Sequence, residues 1–238
     1  MECCPDAHVV RLDRLFTTTG ANFVQADAAR IPFADATFNG VIANHCLEHM
    51  DDVDAVLREI GRVIRRGGAL YVSVPDGASL TDRLYRWIYH GGEHVNLFRS
   101  VEELAARVSA ATGLNLVATR VLHSSLFFLN GALFQPRPPR RLWLFANGNP
   151  HAIAVLTYAL RLADRVLGTR LSVYGWALYF GHVRESVDTA AWTNVCVDCG
   201  VGRSADVLRS NQLLKRWLFF PRFYKCPTCR AWNLFTPD

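Results

Sequence analysis

Two Cys-x-x-Cys pairs, Cys196-Val197-Asp198-Cys199 and Cys226-Pro227-Thr228-Cys229, stand 26 residues apart near the end of a 238-residue chain. Each pair presents two thiolates from one short loop, and four sulfur ligands complete a tetrahedral Zn²⁺ ion with no position left for substrate. The spacing predicts a structural zinc ribbon held by Cys196, Cys199, Cys226 and Cys229. Iron is the alternative ion, and a redox dithiol the alternative chemistry. Cys3, Cys4 and Cys46 bring the total to an odd seven, which suits metal thiolates in a reducing compartment better than a secreted disulfide framework. The chain therefore reads as cytoplasmic.

A second set of residues closes short apolar runs. Asp13 follows residues 8–12, Asp27 follows residues 21–26, and Asn44 ends residues 40–44. Ligands of an open parallel sheet sit beyond the carboxyl ends of its strands. A carboxylate at Asp13 could accept hydrogen bonds from a ribose diol, and one at Asp27 from an exocyclic amine such as that of adenine. The same acids could equally serve as turn or helix-capping residues.

The elements that must position these groups are legible from their patterning. Residues 8–12, 21–26, 40–44 and 69–74 are brief runs without polar alternation, as expected of strands buried on both faces of a parallel sheet. Between the last two lies an amphipathic helix carrying Val53, Val56, Leu57, Ile60 and Ile64, with Asp51 or Asp52 at its start and Arg65 and Arg66 in its last turn. Strand, helix and strand in that order make a βαβ unit. Ser100 and Glu103 form a capping box for a further helix ending at Gly113, and residues 115–121 read as another strand.

Pro136, Pro138 and Pro139, interspersed with Arg137, Arg140 and Arg141, mark the end of this core. A helix follows on the stripe Ile153, Leu156, Leu160, Ala163 and Leu167, with Arg161 and Arg165 off it. The uncharged stretch from Leu142 to Leu160 is interrupted by Asn147, Gly148, Asn149 and Pro150, where about 20 continuous apolar residues would be needed to span a membrane, and the first residues lack the basic and apolar regions of a signal peptide.

The run from Gln25-Ala26-Asp27-Ala28 to Phe38-Asn39, then Cys46-Leu47-Glu48-His49-Met50, then Leu57-Arg58-Glu59-Ile60 to Gly67-Gly68, resembles the middle of a class I S-adenosylmethionine (SAM)-dependent methyltransferase of the type 11 group. The likeness runs in register from Val9 to Asp76 and continues more loosely through Glu93-His94-Val95-Asn96-Leu97-Phe98. It implies that Asp13 holds the ribose of SAM, that Asp27 and Ala28 hold the adenine, and that Asn44, His45, Glu48 and His49 border the methionine end and the acceptor. His45 and His49 are the catalytic candidates, able to take a proton from an acceptor that must lose one. His49 could instead cap or pack the following helix. The family pattern opens with an acid and a Gly-x-Gly-x-Gly loop after its first strand. The twelve residues before Asp13 contain no glycine. Either the reading frame starts upstream of Met1 or SAM is bound differently, and loss of the strand carrying that loop would leave sheet edges unpaired.

The expected fold is α/β, a Rossmann-like open sheet, N-terminally truncated, with a helical/β insertion and a small Cys4 zinc ribbon. The expected divisions are a methyltransferase-like core at 1–135, a helical segment for acceptor binding or packing at 136–190, and the ribbon at 191–238. The resemblance implies methyl transfer from SAM to a small-molecule, lipid or saccharide acceptor, with residues 121–180 and a Tyr174-Gly175-Trp176 turn forming the acceptor wall. Peripheral membrane contact through the helix near Ile153 is compatible with its stripe. The alternative is a non-catalytic remnant serving as a protein or nucleic-acid interaction module through its ribbon. From Cys196 onward there are seven Lys or Arg and three Asp or Glu, interleaved with aromatic residues, but a net charge of +5 over the chain is low for a dedicated nucleic-acid binder.

Overall fold

The computed structural model describes residues 8–15, 22–89, 94–131, 140–183, 187, 189–216 and 221–237. The prolines at 136–139, the 17–20 link, Cys3, Cys4, Trp217, Phe219 and Phe220 lie outside the described residues.

Among the described residues two short parallel strands, β1 (Arg11–Asp13) and β2 (Phe23–Gln25), pair only with each other, Asp13 opposite Gln25. The main sheet has the order β3 (Phe38–Asn44), β4 (Ile64–Pro75), β6 (Val173–Gly181), β5 (Leu116–His123). β3 and β4 are parallel and joined by α1 (Val53–Val63), the expected βαβ unit. β6 runs antiparallel to both neighbours, so the sheet is mixed.

Local chemistry explains the helices. Asp52 caps α1 by accepting from the Ala55 N–H at 2.9 Å, while Val53, Val56, Leu57, Ile60 and Val63 turn inward. Ile64 is already extended and pairs with Phe38, so Arg65 and Arg66 stand in β4 rather than in the last helical turn. Ser100 caps α3 (Val101–Thr112) through the Glu103 N–H, and Gly113 ends it at φ +71°. The α2 helix (Leu80–Ile88), capped by Ser79, was not among the expected elements.

One core lies between α1, α3 and the sheet and includes Leu57, Ile60, Leu70, Val72, Leu104 and Leu178. Fully burying each such side chain contributes about 1.5–3 kcal/mol. A second core joins Ile88, Leu126, Leu129 and Leu142 to Ile153 of α4 (Pro150–Leu167) and to Val197, inside the first cysteine knuckle. The knuckle is thus packed into the body of the protein. Around it stand α5 (Ala205–Ser210) and a sheet of β7 (Leu214–Lys215), β8 (Phe223–Lys225) and β9 (Trp232–Leu234).

Four expectations are corrected here. Tyr174-Gly175-Trp176 is not a turn but the start of β6, which brings residues beyond 135 into the main sheet. Arg161 is not on an outer face: 4% exposed, it donates to the Ser124 carbonyl at 3.0 Å and the Val195 carbonyl at 3.2 Å. α4 therefore buries Ile153, Ala154, Thr157 and Arg161, whereas Leu167, expected on the inner stripe, is exposed. β3 is not buried on both faces; among the described residues it pairs only with β4, and Ile42 is 67% exposed.

Candidate active site and cysteine centre

The Ala26 N–H donates to the Asp13 carbonyl at 3.0 Å, so Asp13 and Asp27 share the carboxyl end of the β1–β2 ladder. Both are exposed, and each accepts at Oδ1 from an N–H two residues on, Leu15 for Asp13 and Ala29 for Asp27, both at 2.9 Å. The turn-forming role is present, and it uses one oxygen of each carboxylate. Ala28 packs against the main core. The segment after Asp27 is held on α1: Glu59 accepts from the Ile31 N–H at 2.8 Å, and Arg62 donates to the carbonyls of Ile31 and Phe33. The Arg62 guanidinium keeps the Glu59 carboxyl below its usual range. At the end of β3, Asn44 Oδ1 accepts from the Ser73 hydroxyl of β4 at 2.9 Å. An exposed Arg14–Asp51 pair at 3.7 Å links the end of β1 to the loop before α1.

Beyond Asn44 the chain turns through His45, at φ +48°, into a 3-10 turn over Leu47–His49. The segment after residue 93 is stapled to that turn. The Val95 and Asn96 N–H groups both donate to the Glu48 carbonyl, at 2.8 and 3.0 Å, and the Asn96 side chain donates to the carbonyls of Leu47 and Met50. These bonds bring His94 against His49, with ring centroids 5.0 Å apart. His94 stacks on Tyr85 and bonds through Nδ1 to Asp82 at 2.9 Å, and Asp82 also accepts from Arg86 at 2.7 Å. His45 faces Tyr174 and places Nδ1 3.6 Å from Glu48 Oε1.

Glu48 is 1% exposed, and its charge marks its neighbours. Burial, then the Glu48 charge, pushes the Cys46 thiol up to about 12. Burial, then the charges of Glu48 and Asp82, raises the Tyr174 hydroxyl. Burial opposes ionisation of Asp82, but its hydrogen bonds to His94 and Arg86 outweigh that and hold the carboxyl below its usual range. His45 and His49 thus belong to one cluster with Glu48, Asp82, His94 and Tyr174. Of these, sequence reasoning did not single out Asp82 or His94 as site residues, and it named Tyr174 only as part of the acceptor wall. A signal was available, since the dipeptide Glu-His occurs at both 48–49 and 93–94. A cleft of about 440 Å³ opens at the end of β4, lined by Asp76, Ser79, Arg83, Arg170, Leu171 and Val173.

The cysteine centre is built of two matching knuckles. Cys196 accepts from the Gly200 N–H and donates to the Val201 carbonyl; Cys226 accepts from the Arg230 N–H and donates to the Ala231 carbonyl. Gly200 and Arg230 both take the left-handed conformation, at φ +71° and +68°. The Sγ atoms of Cys196 and Cys229 lie 3.6 Å apart, and those of Cys199 and Cys226 3.7 Å. An ion with four bonds of about 2.3 Å needs sulfur separations of about 3.8 Å, so the centre fits tetrahedral zinc. The Asn233 side chain donates to Cys196 Sγ at 3.4 Å. Burial raises the Cys226 thiol, but the N–H groups of Cys229 and Thr228 outweigh it and bring it down to about 7, while burial pushes the Cys199 thiol up to about 11 and raises that of Cys229.

Residues 4–72 match a family model described as a methyltransferase domain. Over that segment the chain is similar to methyltransferase domains. An O-methyltransferase of Pyrenophora dematioidea is 36% identical over 78 residues, covering 32% of this chain and 29% of that protein. A demethylmenaquinone methyltransferase of Mycolicibacterium vanbaalenii is 37% identical over 87 residues, covering 37% of this chain and 36% of that protein. The chain thus spans from about a fifth to somewhat over a third of the length of the curated relatives that it matches. Among solved structures, the YcgJ protein of Bacillus subtilis is 20% identical, with 69% of this chain and 72% of that chain covered and a TM-score of 0.40. No described helix is long and apolar enough to cross a membrane.

Proposed function

We propose that the protein transfers a methyl group from SAM to a small-molecule or lipid-like acceptor. The observation that carries this reading is the match of residues 4–72 to a methyltransferase domain, on a segment whose strand-closing acids share one sheet edge. In this reading the second oxygen of Asp13 takes the ribose diol, Asp27 and the Ala28 backbone hold the adenine, and Asn44 lies toward the methionine end. SAM, when bound, supplies a methyl group on a sulfonium; the chain's own part is to place an acceptor in line and to manage its proton. His45 is the proton acceptor of choice, its Nδ1 lying 3.6 Å from Glu48 Oε1. His49 is the second candidate. The cleft lined by Arg170, Leu171 and Val173, which belong to the expected acceptor wall, admits the acceptor. Zinc on the four cysteines is structural. The relatives named as O-methyl and menaquinone-type methyltransferases support the acceptor class.

Calorimetric titration of the metal-loaded chain with S-adenosylhomocysteine tests the reading. Micromolar binding is expected, weakened at least tenfold in Asp27→Ala. Absence of binding by a folded wild-type chain would overturn it and put the non-catalytic module in its place.

A further inference from the structure

The cluster at the end of β3 contains more than a proton relay needs. A group on each of Glu48, His49 and His94 comes within 4.8 Å of the others, counting one carboxylate oxygen and one ring nitrogen per imidazole. Glu48 is almost fully buried, yet its Oε2 has no hydrogen-bond partner among the described residues. A buried carboxylate is costly unless a cation or donors compensate it. Arg86, the guanidinium beside Asp82, is already committed to Asp82 and to the Gly77 carbonyl.

We propose that Glu48, His49 and His94 form a three-ligand site for a divalent transition-metal ion of the zinc class, separate from the four-cysteine centre. Two imidazoles and one carboxylate are the donor set that zinc, cobalt and iron(II) accept, and three protein ligands leave a position open. The surroundings are those of a built site. Asp82, with no exposed surface, bonds His94 at Nδ1, which fixes the ring and leaves Nε2 for the ion, as second-sphere carboxylates do for metal-bound histidines. The two N–H bonds to the Glu48 carbonyl and the two from the Asn96 side chain hold the His94 segment on the 3-10 turn without help from the ion. Drawing the ligands from 4.8 Å to coordination spacing needs rotation of His49, whose exposed ring is also the route of entry. An acceptor hydroxyl on the open position would be easier to deprotonate beside His45; that consequence alone rests on the methyl-transfer reading.

The test is cobalt uptake by the full chain, after removal of all metal and refolding with excess Co²⁺. Wild type is expected to hold two equivalents, one with thiolate-to-cobalt charge transfer and one with only the weak visible bands of nitrogen and oxygen ligation. Glu48→Gln, close in shape to the native side chain, should retain the thiolate-bound ion and lose the other, and His94→Gln should do the same. Asp82→Asn should weaken the second ion roughly 10–100-fold. A single thiolate-bound equivalent in folded wild type, or two equivalents in Glu48→Gln, would overturn the proposal. Because the readout is metal content and spectrum, failure here is distinct from failure to bind S-adenosylhomocysteine.

Discussion

The cysteine centre and the open edge of the sheet hold their polar groups in opposite ways. Around the cysteines, Val197 is in the second core, Arg161 donates to the Val195 carbonyl, and Asn194 is fully buried with bonds to Thr236. At the sheet edge, Asp13 and Asp27 are exposed and held by turns only two residues long. A structural ion folds together with its ligands and stays packed among them; a cofactor that comes and goes suits groups kept hydrated until they meet it. The Glu48 cluster stands between these extremes, buried yet opening to solvent at His49.

Removing metal from the cysteine centre should have the largest effect. The cluster beneath the ribbon, Ala205, Leu208, Tyr224 and Phe235, is small, and structural zinc contributes on the order of 10 kcal/mol in isolated zinc fingers. Cys226→Ser or a strong chelator should therefore unfold the ribbon, with loss of the near-ultraviolet dichroism of Tyr224 and Trp232, while far-ultraviolet helix signal persists. Simultaneous loss of both signals would show that ribbon and sheet fold as one unit.

Arg161→Ala comes next. It leaves the Ser124 and Val195 carbonyls without their donor and should cost about 2 kcal/mol in denaturant unfolding. Burial brings the Arg161 guanidinium down to about 10, so it is still a cation at neutral pH, and a stability change near zero would mean that its desolvation cancels its bonds.

A smaller, pH-dependent effect belongs to Asp82. Its folded carboxyl ionises below the unfolded value of about 3.9, so its contribution is full above that pH and disappears as pH falls through the folded value. The difference in melting temperature between wild type and Asp82→Asn should shrink below about pH 4. A constant difference would remove the ionic part of the account.

The smallest effect is a gain. Arg230 occupies the left-handed position that Gly200 fills in the sister knuckle, so Arg230→Gly should stabilise by about 0.5–1 kcal/mol. Equal or lower stability would mean that the Arg230 side chain makes good its backbone strain.

What the sequence revealed followed the range of the forces involved. The cysteine knuckles, the Asp52 and Ser100 caps and the Val53–Ile60 stripe rest on neighbours a few residues away, and spacing shows them. β6 was obscured because Gly175 breaks the pattern of a strand. The sheet explains that glycine: a Cβ there would lie 2.1 Å from the Val74 carbonyl oxygen, so β4 and β6 approach too closely for a side chain. The burial of Arg161 and Glu48 was equally hidden. Each depends on chain more than thirty residues distant, Ser124 and Val195 for one and residues 94–96 for the other. At the sheet edge the acids were found, but local patterning could not show that β3 would stand with Ile42 exposed.

The most direct test of the contrast between a packed metal centre and a hydrated cofactor edge is hydrogen exchange of the zinc-loaded chain with and without S-adenosylhomocysteine. The account predicts slower exchange at residues 27–31 and 44–50 on binding, with the amides of Cys196, Gly200, Cys226 and Arg230 unchanged. Protection confined to the ribbon, or none at the ends of β2 and β3, would contradict it.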